Sequence, residues 1–367
     1  MSSRKLVVIP AVLAVVGIGM FAWRASKRVE RDRRRTAASQ LLHTRVAMKW
    51  FFAGTMSPYF AAERNGIFTR NGLAVELLSG GPTSPSVQQV LLHNAEFGIT
   101  GAYELALARS EDQPLVSVAV IFKSSPSCLA SLAKSGIHRP EDLVGKTVEM
   151  TQGDNSEFEF LAMLRHNGID TSRVHRVRYL YNYSRLLAGQ TDAAVVYKND
   201  QAVTLQKQAE ISLLCPKDYG VTPYADVLFT TEDMIHDRPD WVGKVVRAFL
   251  EAWEWAARNQ EQTVDDFLSA PEVRALSSRD SSGVFTPAAQ AAVLTASLDF
   301  VRGETQPVSY GRHIAAIGVQ DLARWAEAVQ LLRDYGRRSK VPDPSTCFSN
   351  RWTILHAAEA KADTSGT

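Results

Sequence analysis

From residue 45 onward, short apolar runs alternate with amphipathic stretches. The spacing predicts strand, then helix, several times over. The run "RVAMKWFF" (45–52) predicts a strand. "SPYFAAERNGIFTRNG" predicts a helix with Ser57 as its cap and Pro58 in its first turn, closed at Gly66. "LAVELLS" predicts a second strand, and Ser84 with Pro85 repeats the Ser-Pro helix start. "EFGIT" is a short third strand before the helix "AYELALARS". The continuous, Val-rich run "PLVSVAVIF" suits a strand buried on both faces. The alternation restarts after "SGIHRPEDLVGK". Strand "TVEMTQ", helix "SEFEFLAMLRHNG" (ended by Gly168), strand "VHRVRYL", helix "YSRLLAGQ", strand "DAAVVY" and helix "NDQAVTLQKQ" follow in turn. "ISLLCP" and "YADVLFT" read as strands leading back to the first half. Such alternation implies βαβ units and a parallel sheet.

Beyond residue 240 the period becomes helical. Val242, Val245, Val246, Phe249 and Trp253 form one apolar stripe, and Leu322, Trp325, Val329 and Leu332 another, both expected to face the core. The expected organisation is a membrane anchor with basic flank (1–35), a linker (36–44), lobe one (45–127), lobe two (128–221), a return to lobe one with C-terminal helices (222–340), and a tail (341–367) whose last dozen residues fray.

The anchor is expected because residues 6–23 are apolar throughout, at the lower edge of the roughly 20 residues that span a bilayer. Arg4 and Lys5 precede them, and neither a small-x-small cleavage site nor a lipid-accepting cysteine follows, so an uncleaved helix is preferred to a removed signal peptide. Trp23 suits the interface. Residues 24–35 carry Arg24, Lys27, Arg28, Arg31, Arg33, Arg34 and Arg35, which the positive-inside tendency holds in the cytoplasm. Two orientations therefore stay open: an extracytoplasmic domain, or a cytoplasm-facing one.

Composition changes the picture only by exclusion. Of 367 residues, 45% are apolar and 22% charged, and the net charge of +2 has much of its basic excess near the N-terminus. The remainder offers no electrostatic footprint for nucleic acid. Cys128, Cys215 and Cys347 lie far apart without CxxC spacing, which argues against a zinc site. They read as ordinary buried thiols rather than a disulfide framework.

Two α/β lobes joined by a crossing chain make a cleft, and ligands of open α/β sheets gather at strand ends beside helix N-termini. In lobe one, Trp50 and Tyr59 offer flat faces and Thr55 and Ser57 hydroxyls, while Met56 favours a soft apolar or aromatic group. Phe51 and Phe52 are expected to pack the sheet; Trp50 is balanced between packing and ligand. Thr100, Tyr103 and Glu104 follow the third strand. Tyr103 suits stacking, and Glu104 either accepts from a ligand N–H or supports its own helix start. In lobe two, Gln152, Gly153, Asn155 and Ser156 form a turn and helix start, with Asn155 or Ser156 as cap and free N–H groups beyond. Asp154 opposes a strongly anionic ligand there. Tyr181 and Tyr197 are placed to clamp a ring. Asn199 and Asp200 are either ligand contacts or a solvated helix start, and Tyr224 touches ligand or hinge.

These stretches carry a resemblance. Trp50 and its helix, "AAERNGIF" followed by "RNGLAVEL", then "EFGITGAYELALAR", "PLVSVAVIF", "RPEDLVGKTVEM", "LLAGQTDAAVV" and "DYGVTPYADVLFTTEDMI" resemble the NMT1/THI5-like (SsuA/THI5-like) family over roughly residues 46–268. That family joins thiamine-pyrimidine synthases to substrate-binding proteins of ABC transporters. The resemblance implies a two-lobed periplasmic-binding-protein-like (type II) fold and a receptor that closes its lobes on a ligand. It implies a partner permease with its ATPase, a monomer, and no cofactor. The implied ligand is small, planar and nitrogenous, like a thiamine pyrimidine precursor. The family's enzymes hold pyridoxal phosphate on a Lys and consume a His; those positions read Thr100 and Glu104 here, and their Cys-rich iron motif has no counterpart. Pyrimidine receptors of the family carry an Asn and an Asp-His pair where this chain has Ala53, Thr55 and Met56, a departure that bears on the ligand. Relatives that bind sulfonates use the helix start equivalent to 153–156, and relatives carry an Asn-acid pair at 199–200. The alternatives are a synthase-like enzyme and a membrane-tethered sensor.

Overall fold

The computed structural model describes residues 41–180, 182–278, 283–303, 317–335, 340–354 and 356. The chain divides into two compact units, Met1–His43 and Thr44–Thr367. Only residues 41–43 of the first are described, so the expected anchor, its basic flank and most of the linker lie outside the described residues, as does the end of the tail. Among the described residues no helix is long and apolar enough to cross a membrane.

Strands β1 (Leu42–Ala47), β2 (Leu73–Leu78), β3 (Phe97–Thr100) and β4 (Leu115–Phe122) alternate with helices α1 (Ser57–Arg64), α2 (Ile67–Arg70), α3 (Ser86–Leu91) and α4 (Ala102–Ser110). The chain then crosses to β5 (Ser127–Leu132), β6 (Thr147–Met150), β7 (His175–Arg178), β8 (Ala193–Tyr197) and β9 (Ile211–Leu214), with helices α5 (Asn155–His166), α6 (Ser184–Leu187) and α7 (Gln201–Leu205) between them. It returns as β10 (Asp226–Thr231) and continues into α8 (Glu232–Asp237), α9 (Pro239–Arg258), α10 (Gln260–Ser269), α11 (Pro271–Ser277), α12 (Pro287–Arg302) and α13 (Leu322–Tyr335).

The strands build two five-stranded sheets, ordered β2-β1-β3-β10-β4 and β7-β6-β8-β5-β9. Both are mixed, which corrects the expectation of parallel sheets. The βαβ portions are parallel, as in β1–β3 and β6–β8. β10 arrives from the other lobe and so runs antiparallel to β3 and β4. β5 likewise enters against the run of β8. β9 does not lead back to lobe one, as its sequence suggested; it pairs with β5, Leu129 opposite Leu214.

The apolar run predicted to be buried on both faces is β4, every residue of which is buried. It lies last in the sheet order, and an open edge would expose unpaired backbone. Later segments cover it: Ser117 N–H donates to the Cys347 carbonyl at 2.9 Å, and Val120 N–H to that of Gly318 at 2.9 Å. The stripe on α9 is buried at all five positions. On α13, Trp325, Val329 and Leu332 are buried, but Leu322 in the first turn is 52% exposed and falls outside the stripe.

The cysteine expectation fails in part. Cys128 and Cys215 form a disulfide across a sequence separation of 87. The register that sets Leu129 against Leu214 brings these next residues side by side. They sit in a buried cluster with Ala130, Leu186, Ala194 and Val196. Cys347 is a buried free thiol, as expected.

Candidate functional site

A cavity of about 390 Å³ opens where strand ends and helix starts of the two sheets face each other. Its first wall is the turn after β1. That strand stops at Ala47, earlier than predicted, so Lys49 to Ala53 belong to the turn. Met48 and Trp50 tie the turn to the end of β2 through Met48 N–H to Leu78 O (2.9 Å) and Gly80 N–H to Trp50 O (3.1 Å). Trp50, Thr55 and Met56 line the cavity. Phe52, expected to pack the sheet, is buried edge-on against Phe60 of α1, and Phe51, with the same expectation, is 41% exposed.

Two neighbours lie outside the cavity lining, contrary to expectation. A 3-10 turn over Gly54–Met56 leads into α1, so Ser57 is already helical and caps nothing; it is buried, outside the cavity lining, with its hydroxyl unpartnered among the described residues. Tyr59 points into the core, where its hydroxyl accepts from Trp253 Nε1 at 3.0 Å and its ring packs on Phe249.

The end of β3 supplies Thr100 and Glu104, both lining the cavity. One Glu104 oxygen accepts from Thr100 Oγ1 (2.6 Å) and Gly101 N–H (2.9 Å), capping its own helix. The other accepts from Asn155 N–H at 3.2 Å, across the gap between lobes. Tyr103, expected to stack on ligand, stacks instead on Phe158 of α5 and leaves the cavity lining to its neighbours. Gly101 permits this approach, since a Cβ there would lie 2.4 Å from Asn155 Oδ1.

The lobe-two wall is the turn "TQGDNS", and Gln152, Gly153, Asn155 and Ser156 all line the cavity. Gly153 takes φ of +81°, a left-handed turn suited to glycine. The cap is Asp154 rather than Asn155 or Ser156: its carboxylate accepts from Glu157 N–H at 2.8 Å. Burial pushes Asp154 up to about 7; the Glu157 N–H opposes, Glu104 adds to the rise, and Lys49 partly offsets it. Asn155 is buried, donates through Nδ2 to Glu159, and keeps Oδ1 without a donor among the described residues.

β8 and α7 bring Tyr197 and Asp200 to the cavity. Burial lifts Asp200 to about 6. Asn199 turns away and donates to Ser297 Oγ at 2.9 Å, so it fastens α12 rather than facing the cavity. Tyr224 also lies outside the lining; its hydroxyl accepts from Asp321 N–H at 2.9 Å, tying the return crossing to the start of α13. Tyr181 lies outside the described residues.

Sequence reasoning missed the centre of the site. Lys49 Nζ donates to Tyr197 Oη (3.0 Å) and the Ala225 carbonyl (2.8 Å), and pairs with Asp226 Oδ1 at 3.4 Å. Burial pulls Lys49 down, but Tyr197, Asp226 and Glu104 outweigh it and hold the ammonium well above the ordinary lysine value. Tyr179 and Tyr183, 5.4 Å apart between ring centroids, also line the cavity where Tyr181 was expected. A lysine set against an aromatic run at a strand end was the one visible signal for Lys49. Nothing local marked its partner Asp226, 177 residues away.

A family model described as NMT1/THI5 like matches residues 54–263. The formylaminopyrimidine-binding protein of Halalkalibacterium halodurans is 28% identical over 230 residues, 61% of this chain and 69% of that one. The 4-amino-5-hydroxymethyl-2-methylpyrimidine phosphate synthase of Legionella pneumophila is 22% identical over 250 residues, 65% and 77% of the two chains. Among solved structures, the periplasmic aliphatic sulphonate-binding protein SsuA of Escherichia coli aligns with a TM-score of 0.61 at 16% identity, covering 83% of this chain and 91% of that one. At that identity the likeness is one of fold, the two-sheet α/β architecture of periplasmic binding proteins. The family match spans more than half of the sequence, and the protein belongs to the NMT1/THI5-like family.

Proposed function

We propose that this chain is the substrate-binding protein of an ABC-type importer and holds a small, planar, nitrogen-bearing molecule between its lobes. The observation that carries this reading is the cavity itself, to which both lobes contribute and beside which Glu104 bridges to Asn155. Its volume falls in the range of small-molecule sites. A ligand touching both walls binds the closed arrangement better than an open one, and that difference drives closure. The likeness to a formylaminopyrimidine-binding protein supports a pyrimidine-type ligand.

The alternative of a synthase-like enzyme is weaker on chemistry. The positions at which the family's enzymes hold their cofactor and spend a His are Thr100 and Glu104. The one lysine among the lining residues, Lys49, has its donors engaged by Tyr197, Ala225 and Asp226, and its raised pKa keeps it an ammonium rather than a nucleophilic amine.

The Cys128–Cys215 disulfide supports an oxidising, extracytoplasmic location for the binding domain. An anchor at 6–23 would then raise its local concentration at a permease. A reporter fused after residue 60 tests the side of the membrane, and a cytoplasmic signal ends the import reading. For ligand and chemistry, thermal shift of the full chain with 4-amino-5-hydroxymethyl-2-methylpyrimidine, its formylamino analogue and alkanesulfonates is the test. The pyrimidines are expected to raise the melting temperature by mass action. A Schiff-base absorbance band on adding pyridoxal phosphate would overturn the receptor reading.

A further inference from the structure

We infer that the cleft takes its ligand as a cation, with a protonated amine or amidine directed at Asp154 and Asp200. This rests on the receptor reading above and adds the charge of the bound species.

The lining is unbalanced. Glu104, Glu111, Asp154, Asp200 and Asp226 contribute carboxyl groups, and Lys49 is the one basic side chain among the described lining residues. Lys49 is consumed by Asp226, Tyr197 and the Ala225 carbonyl, so it neutralises its own neighbourhood and offers no donor to an arriving anion. Asp154 and Asp200 have hydrogen-bond donors, Glu157 N–H and Gln201 Nε2 (2.9 Å), but neither forms an ion pair among the described residues; Lys49 acts on Asp154 only from a distance. An anionic guest would add charge of the same sign to a low-dielectric pocket. A cationic one supplies the missing counter-charge.

A second observation points the same way. Asn155, 1% exposed and part of the lining, keeps Oδ1 without any donor among the described residues. A buried acceptor left unmade is costly, and an N–H of the ligand is the group that would satisfy it. Ionised carboxylates are acceptors only, so the acidic part of the wall favours N–H groups once it is charged. Tyr179, Tyr183 and Trp50 add aromatic surface of the kind that attracts a delocalised cation.

The groups facing Asp154 are Lys49, Glu104, Glu157 and the buried Glu159, and Glu157 is itself paired with Arg176 at 2.8 Å. Those facing Asp200 are Gln201 and Tyr183. A cation arriving among them favours the ionised carboxyl groups, so binding expels protons when the pH is near or below their raised values.

The test is isothermal titration of the full chain in detergent with three pyrimidines that share one ring. They carry 5-aminomethyl (cation), 5-hydroxymethyl (neutral) and 5-hydroxymethyl phosphate (anion) groups. At about pH 6.5 the aminomethyl compound is expected to bind about tenfold or more tightly than the hydroxymethyl one. The phosphate should bind weakest. The heat should vary with the buffer's ionisation enthalpy in the sense of proton release. D154N, which still supplies a helix cap, and D200N should each shrink the preference. Equal or tighter binding of the neutral or anionic compound, or a preference that survives both substitutions, overturns the inference and leaves the receptor reading standing. Failure of all three to bind removes the pyrimidine reading and the inference with it.

Discussion

Glu104 of α4 accepts a hydrogen bond from the backbone N–H of Asn155, the first residue of α5, at 3.2 Å. One carboxylate thereby serves two helix starts, its own through Gly101 N–H and one on the opposite lobe, and both positive helix ends favour its charge. The Tyr103–Phe158 stack runs beside this link. The lobes meet at a polar contact backed by an aromatic one, beside the cavity.

Replacing Glu104 with Ala should remove both caps. The expected loss is about 1–2 kcal/mol of stability, read from urea unfolding, with weaker ligand binding. A separate substitution tests the approach itself. G101A places a Cβ where Asn155 Oδ1 lies at 2.4 Å, and the neighbour is a buried side chain that cannot give way cheaply. The lobes should separate, read as a larger radius of gyration by solution scattering.

Lys49 and Asp226 are largely buried, with side chains 14% and 18% exposed. K49M leaves Asp226 without its counter-charge and should cost about 3 kcal/mol. The K49M/D226N double variant should recover part of that loss. A double-mutant cycle of unfolding free energies measures the coupling, and additive losses would deny it.

The pH dependence has a definite sign. Asp154 is raised in the fold to about 7, from the ordinary carboxyl value near 4. A raised carboxyl contributes its stability while protonated in both states, and that stability is lost as the pH climbs through the folded value. D154N should therefore gain stability relative to the native chain between about pH 4 and pH 7. Paired melting curves across that window provide the check, and a constant difference would count against the assigned shift.

The disulfide closes a long loop, with Cys128 and Cys215 separated by 87 residues. Reduction, or C128S, should destabilise the protein by about 2–4 kcal/mol. Alkylation of the denatured, unreduced protein followed by mass spectrometry should label Cys347 alone; three labelled thiols would refute the bridge.

Where the sequence was legible, the signal was short-range. The α9 stripe repeats every three to four residues, and the strand runs of lobe one are bounded by Gly, Pro and Ser. Errors arose where a boundary depended on neighbours. β1 ends at Ala47 because the following residues tie back to β2. Asp154 displaced Asn155 as cap because the helix begins one residue earlier than the sequence implied. The strand ends that the sequence singles out do line the cavity, but side-chain direction was not readable. Tyr59 and Tyr103 read as flat faces for a ligand, and the core claims the first and Phe158 of α5 the second.

By itself, the sequence determined the alternating α/β pattern, the two-part division of the sheets and the family resemblance, because periodicity and turn chemistry act over a few residues. Only the tertiary structure decided the Cys128–Cys215 bridge, the Lys49–Tyr197–Asp226 cluster and the Glu104–Asn155 link. Each joins groups about 50 to 180 residues apart. Such pairs are set by register and by the way one sheet faces another, and no local propensity encodes either.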